Sequence, residues 1–107
     1  MWYIFPQIQG LGSSDTARFY AIASLDEAKA FVAHEVLGAR LRECTRLVNN
    51  VSNSSIVEIF GSTDAMKFRS SMTLFDEATG DNEVFRFALE KYFDGNPDER
   101  TLALLGC

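Results

Sequence analysis

The spacing of the apolar residues is the strongest constraint in this sequence. They recur every three to four positions in short segments, as in amphipathic helices, and do not alternate as in half-buried strands. Clusters of Gly, Asn and Ser, and the Gly95–Pro97 stretch, separate these segments and favour turns. The apolar run Trp2–Phe5 resembles a strand but is too short and too isolated to form a sheet. The pattern therefore predicts an all-α fold with no sheet.

Several segments also carry recognisable helix ends. Ser24 followed by Glu27 matches a capping box, and Gly95 suits a left-handed helix end. We expect Asp64 to cap one helix, and Asn96 with Pro97 to open the last. The predicted helices are Leu25–Ala33, Glu35–Asn49, a short turn from Ser54 or Ser55 to Phe60, Asp64–Ala78, Asp81–Asp94, a last helix ending at Leu105 and a weaker one over Asp15–Ile22.

The length of 107 residues fits one domain that buries roughly two-thirds of its unfolded surface. Hydrophobic residues make up 47% and charged residues 23%, as in ordinary globular proteins. We expect a single compact domain over residues 1–107, with about five to seven short helices crossing at steep angles.

Charge and residue types exclude several kinds of partner. The net charge of −5 disfavours nucleic acid and anionic membrane surfaces, and no apolar run approaches the ~20 residues of a membrane span. The N-terminus lacks the basic region of a signal peptide. The sequence has two cysteines and one histidine, so neither a disulfide framework nor a zinc site is expected. We predict a cytoplasmic protein without a metal or other cofactor.

Two residues in or directly before the predicted Glu35–Asn49 helix stand out. On a helical wheel Arg40 falls in the apolar stripe with Leu37 and Leu47, where a guanidinium needs a partner. It either forms a structural contact or holds an anion. His34 lies at the flank of this stripe, as a hydrogen-bonded core or cap residue or as a functional one.

The Asp64–Ala78 segment carries the hydroxyls of Ser70, Ser71 and Thr73 in mid-helix, at a cost in helix propensity. Either small side chains let another helix approach while the hydroxyls bond back to carbonyls, or the hydroxyls line a pocket. Asp64, Lys67 and Ser71 share one strip of the helix. A Ser/Lys nucleophilic pair is a third and much weaker alternative, because this spacing is common by chance.

Some apolar residues have no obvious place in the core. Phe87 points away from the apolar stripe of its predicted helix, and Trp2 and Tyr3 lie at the start of the chain, where termini usually fray. These three residues are candidate interface residues.

Several blocks in order along the chain resemble domain of unknown function family 1810, whose members are small bacterial proteins, sometimes labelled calpastatin-like. The blocks are Trp2–Gln7, Gly10–Ser13, Tyr20–Ile22, Ala33–Cys44, Asp64–Phe75 and Asp98–Leu102. The resemblance implies an all-helical fold and no established activity. Glu35 and Ala39 stand where the family usually has proline. Similar members also carry a further N-terminal helix ahead of the Trp block, so a family site that used that helix would be expected to lack part of it here.

The leading functional hypothesis is binding of a small anionic or nucleotide-like ligand between the Trp block and the Asp64–Thr73 helix. Its candidate ligand-binding residues are Arg40, Asp64, Lys67, Ser71, Trp2, Gln7 and His34. Lysine and arginine would hold the charge, polar side chains would hydrogen-bond, and an aromatic ring would stack. The alternatives are a non-catalytic protein-interaction or self-assembly module and a truncated family member without activity. A monomer or weak homo-oligomer is expected, and whether the protein is an enzyme stays open.

Overall fold

The fold is a set of short helices around one long central helix. A computed structural model of the protein describes residues 4–11 and 15–106. Within these residues the helices are α1 (Asp15–Tyr20), α2 (Leu25–Ala33), α3 (Leu37–Asn49), α4 (Ile56–Phe60), α5 (Ser62–Ala78), α6 (Glu83–Phe93) and α7 (Glu99–Leu105). In the same part of the chain, the β-type pairing is an isolated parallel bridge between Ile8 and Ile22. The all-α prediction is confirmed.

Side-chain caps fix where several helices begin. The Ser24 hydroxyl accepts a hydrogen bond from the Glu27 backbone N–H at 3.2 Å and starts α2. Ser55 and Glu58 form a complete capping box at α4, with reciprocal bonds of 3.2 and 2.9 Å. Such caps satisfy N–H groups that have no partner within the helix.

Two predicted caps are wrong. The helix expected to start at Asp64 starts at Ser62 after Gly61, so Asp64 lies in the first turn of α5. A carboxylate is favourable there because the helix dipole is positive at this end. The last helix is capped by Asp98 and not by Asn96, since Asp98 accepts from the Thr101 N–H at 3.0 Å.

Helix α5 forms the centre of the core and packs against α2, α4, α6 and α7. The Phe68 and Phe75 rings are fully buried. Phe5 meets Phe68 edge-on at 5.0 Å between ring centroids, and Phe85 lies 5.8 Å from Phe75. Large rings bury much apolar area, and edge contacts add to it. Seven of the nine phenylalanines of the sequence therefore lie in this core or pack against it, whereas Phe19 and Phe87 are exposed.

Hydrogen bonds to carbonyls one turn earlier explain two of the three mid-helix hydroxyls of α5. Ser70 donates to the Met66 carbonyl at 3.1 Å, and Thr73 donates to the Arg69 carbonyl at 2.8 Å. Thr73 also accepts from the Asp98 N–H at 2.8 Å and thereby holds the start of α7 against α5. The back-bonding alternative is thus confirmed at these two positions.

Helices α2 and α3 meet in a very tight turn that only glycine fits. A Cβ atom on Gly38 would lie 2.0 Å from the backbone oxygen of Val32 and 2.8 Å from its carbonyl carbon. The His34 ring completes the turn, since its Nδ1 accepts from the N–H groups of Val36 and Leu37, each at 3.1 Å. Helix α3 consequently begins at Leu37, two residues later than predicted.

The core face of helix α3 keeps the predicted apolar residues Leu41, Cys44 and Val48 but is rotated away from Leu37 and Leu47. Leu41, Thr45 and Val48 are buried, whereas Leu47 is 61% exposed. The Thr45 hydroxyl is satisfied by the Leu41 carbonyl at 2.8 Å. Because that bond offsets the cost of burying the hydroxyl, Thr45 lies on the side of α3 that faces the core. Arg40 is therefore exposed, and its expected place in the apolar stripe is wrong.

Candidate functional site

A cleft lies where residues from the start of the chain meet α5 and α7. It has a volume of about 210 Å³. We call it the α5–α7 cleft. Its lining residues are Gln7, Leu11, Thr63, Met66, Lys67, Ser70, Asp98 and Arg100. The predicted site residues Gln7 and Lys67, far apart in sequence, are thus brought together.

Asp64 holds the side chain of Lys67 in place within the α5–α7 cleft. The Lys67 Nζ atom lies 3.4 Å from Asp64 Oδ1 one turn earlier, and the lysine side chain is 23% exposed. A pair at this spacing is weak in free energy because both groups are partly solvated. Its main effect is to limit where the ammonium can point.

Arg100 supplies a second positive charge that sequence analysis missed. It is exposed at the second position of α7 and forms no hydrogen bond or ion pair with any residue in the described ranges. The neighbouring carboxylate of Asp98 accepts from the N–H of Thr101 at 3.0 Å and from its hydroxyl at 2.6 Å. These bonds hold the Asp98 carboxylate on Thr101, so Lys67 and Arg100 are the positive groups of a cleft that also contains this negative charge.

The N-terminal end of α5 is a further feature of the cleft that favours an anion. Gly61 precedes the helix and offers no side chain to cap it. Thr63, in the first turn, lines the cleft. Uncapped N–H groups and the helix dipole attract negative charge at this end. The arrangement can hold an anion between the start of α5 and Arg100.

Ser71 lies behind the α5–α7 cleft and not in it. Its side chain is completely buried, and its Oγ atom has no hydrogen-bond partner among the described residues. Since Lys67 does not hydrogen-bond to Ser71, the two do not form the pair that nucleophilic catalysis would need. Ser70, one residue earlier, is the mid-helix hydroxyl that does line the cleft.

The remaining predicted residues are elsewhere or outside the description. Arg40 and His34 are exposed at the α2–α3 corner and do not line the α5–α7 cleft. His34 accepts hydrogen bonds from the backbone at the start of α3, in agreement with the prediction of a hydrogen-bonded cap residue. Trp2 and Tyr3 lie outside the described residues. Phe87 is 49% exposed on α6, so its expected outward position is confirmed.

A metal centre finds no support in the described part of the chain, where no group of three or more His, Cys, Asp or Glu side chains could hold an ion. None of the helices in that part is both long enough and apolar enough to cross a bilayer.

Residues 1–105 match the family described as protein of unknown function DUF1810. This chain belongs to that family. A similar solved structure is the conserved hypothetical protein Rv1873 from Mycobacterium tuberculosis, with 54% sequence identity and a TM-score of 0.97. The match covers 99% of this chain and 76% of the mycobacterial one. No protein with a curated description matches the chain significantly. The family and the fold of the chain are therefore shown, and neither description names a function.

Proposed function

We propose that this DUF1810 protein binds a small anionic ligand, of the phosphate or carboxylate kind that nucleotides and many metabolites carry, in the α5–α7 cleft. The observation that carries the proposal is the meeting of Lys67 and Arg100 in one cleft with the side-chain amide of Gln7. Charge-assisted hydrogen bonds from such groups to oxyanions are about twice as strong as neutral ones.

Each wall of the cleft has its own role. Lys67, held by Asp64, approaches the anion from the α5 side. Arg100 approaches it from α7, and its guanidinium has no hydrogen-bond or ion-pair partner among the described residues. The planar fork of arginine suits two oxygens of one phosphate or carboxylate. The Gln7 amide then selects the orientation of the ligand by hydrogen bonding.

The size of the cleft limits what it encloses. Its volume of about 210 Å³ is below the ~300–1,000 Å³ typical of sites for drug-sized molecules. A second cavity of about 470 Å³ shares Asp98 and Arg100 with it and continues along α7 toward Arg69. The anionic group of a ligand would thus occupy the α5–α7 cleft, and a larger, nucleotide-like remainder would extend along α7.

The expected setting of this activity follows from the sequence. The net charge of −5 opposes nucleic acid as the ligand, so a small molecule that only Lys67 and Arg100 need to hold fits better. We place the binding in the cytoplasm, in a protein that is a monomer or a weak homo-oligomer.

Isothermal titration calorimetry with inorganic phosphate and then with adenosine monophosphate tests the proposal at constant ionic strength. Lys67→Gln and Arg100→Gln should each weaken binding about tenfold or more, because a hydrogen bond to a charged group is worth ~1.5 kcal/mol or more. Lys29→Gln and Arg40→Gln are matched controls, since each removes one exposed positive charge outside the cleft. Equal losses in the controls would show general charge attraction and refute the site.

A further inference from the structure

A second cleft lies between the C-terminal half of α3 and the beginning of α6, with a volume of about 390 Å³. We call it the α3–α6 cleft. Its lining residues are Arg42, Arg46, Asn49, Asn50, Asp81, Glu83, Val84 and Phe87. None of these residues lines the α5–α7 cleft, so the two sites are independent. The volume lies within the range of ligand-binding pockets.

A buried amide at this cleft has an unused acceptor. Asn49 is only 8% exposed, and its Nδ2 atom donates to the Val84 carbonyl at 3.0 Å. That bond fixes the orientation of the amide. Its Oδ1 atom is buried without a partner among the described residues. Because Oδ1 is also shielded from solvent, the amide joins α3 to α6 at the base of the cleft, and contacts with a ligand are left to the exposed groups around it.

The two walls of the α3–α6 cleft carry opposite charges. On the α3 side, Arg42 is already engaged, because it donates to the Asp81 carbonyl at 2.8 Å and its guanidinium carbon lies 5.3 Å from the Phe85 ring centroid. Arg46 is freer: its side chain is 58% exposed and lies 3.8 Å from Glu43 on the same helix. Such an exposed pair is weak and can yield to a ligand carboxylate.

The opposite wall supplies acceptors. The Asp81 side chain is 83% exposed and lies 3.7 Å from Arg42, too far for a hydrogen bond. Glu83 is exposed and has no hydrogen-bond or ion-pair partner in the described ranges. These two carboxylates can receive a ligand ammonium group. A ring can pack on Phe87, which is 49% exposed beside the partly buried Val84.

We propose that the α3–α6 cleft binds a free α-amino acid with an aromatic side chain. Its carboxylate pairs with Arg46, its ammonium group pairs with the Asp81 and Glu83 carboxylates, and its ring packs on Phe87. The opposite charges of the walls match the opposite charges of one zwitterion. A ligand with only a carboxylate or only an ammonium group would form ion pairs with one wall of the cleft and not with the other.

Calorimetric titration with L-phenylalanine, 3-phenylpropionate and 2-phenylethylamine tests this inference, since each analogue lacks one charged group. The intact chain should bind L-phenylalanine at least about tenfold more tightly than either analogue. Arg46→Gln should weaken binding of L-phenylalanine and leave the amine unaffected. Phe87→Ala should weaken the binding of L-phenylalanine more than it weakens the binding of glycine, which has no ring.

Arg40→Gln is the matched control, because it removes an exposed arginine from the same helix outside the cleft. It should leave the affinity for L-phenylalanine unchanged, and so should Lys67→Gln in the other cleft. Absence of L-phenylalanine binding, equal affinity for the three compounds, or an equal loss in Arg40→Gln and Arg46→Gln overturns the inference. None of these results bears on anion binding in the α5–α7 cleft.

Discussion

Replacing Gly38 with alanine should destabilise the protein through a backbone clash. The added Cβ would lie 2.0 Å from the Val32 oxygen, 2.8 Å from the Val32 carbonyl carbon and 3.4 Å from the Phe31 oxygen. All three atoms belong to the backbone at the end of α2, so no side-chain rotation relieves the contact. Helices α2 and α3 must therefore separate, which also strains the 2.9 Å bond from the Gly38 N–H to the His34 carbonyl.

The net cost can be worked out from two opposing effects. Overpacking a close contact typically costs ~1–3 kcal/mol, and a backbone obstruction places this site at the upper end of that range. Alanine regains ~1 kcal/mol of helix propensity relative to glycine. We expect a net loss of about 2 kcal/mol and, for a domain of this size, a fall in Tm of roughly 8 °C.

Urea unfolding followed by circular dichroism at 222 nm measures the change. Gly80→Ala is the matched control, because a Cβ there meets nothing within 4 Å. That variant should be neutral or slightly stabilising, since alanine restricts the unfolded chain. If Gly38→Ala proves as stable as Gly80→Ala, the close approach of α2 and α3 is not as described.

Three further predictions concern stability. His34→Ala should cost about 1 kcal/mol in urea unfolding, because two N–H groups at the start of α3 lose their acceptor; an unchanged midpoint would contradict the cap. Arg86→Gln should lower the free energy of unfolding by roughly 2 kcal/mol, because the nearly buried Asp76 carboxylate loses its two hydrogen bonds of 3.0 and 3.1 Å. The loss stays below the ~3–5 kcal/mol of a fully buried pair because the arginine is half-exposed. A loss under ~0.5 kcal/mol would show that solvent replaces the arginine. The backbone N–H and then the hydroxyl of Ser55 lower the pKa of Glu58 below its ordinary value of 4.5. The stabilisation by the ionised Glu58 carboxylate is therefore present above pH 4.5 and is lost as the pH falls through the lowered pKa. The free energies of unfolding of wild type and Glu58→Gln should thus converge in acid. A difference that persists in acid would contradict this assignment.

Local sequence signals predicted the helices well. The Ser24 cap, the short α4 and the left-handed end near Gly95 depend on neighbouring residues only, so spacing rules suffice. Asp94 takes the left-handed C-cap position itself, with φ of 55°, one residue earlier than Gly95. The caps of α5 and α7 were misplaced because Asp64 and Asn96 are as suitable for capping as the residues that the packing selects.

Tertiary contacts decided what the sequence could not show. The core face of α3 includes Thr45 and Gly38, whose burial depends on a back-bonded hydroxyl and a close neighbouring helix, and hydropathy ranks neither as a core residue. The cleft combines Lys67, which the helix strip indicated, with Arg100, which comes from a distant helix. The sequence around a single exposed arginine on a short helix does not indicate which residues lie opposite it in the fold.

The most direct test of anion binding in the α5–α7 cleft is a titration of the ¹⁵N-labelled protein with inorganic phosphate at constant ionic strength, followed through its backbone amide resonances. If the anion binds there, the shifts saturate and are concentrated at Thr63, Lys67 and Arg100, and Lys67→Gln largely abolishes them whereas Lys29→Gln leaves them intact. Shifts that do not saturate, or that centre on residues outside this cleft, would contradict it.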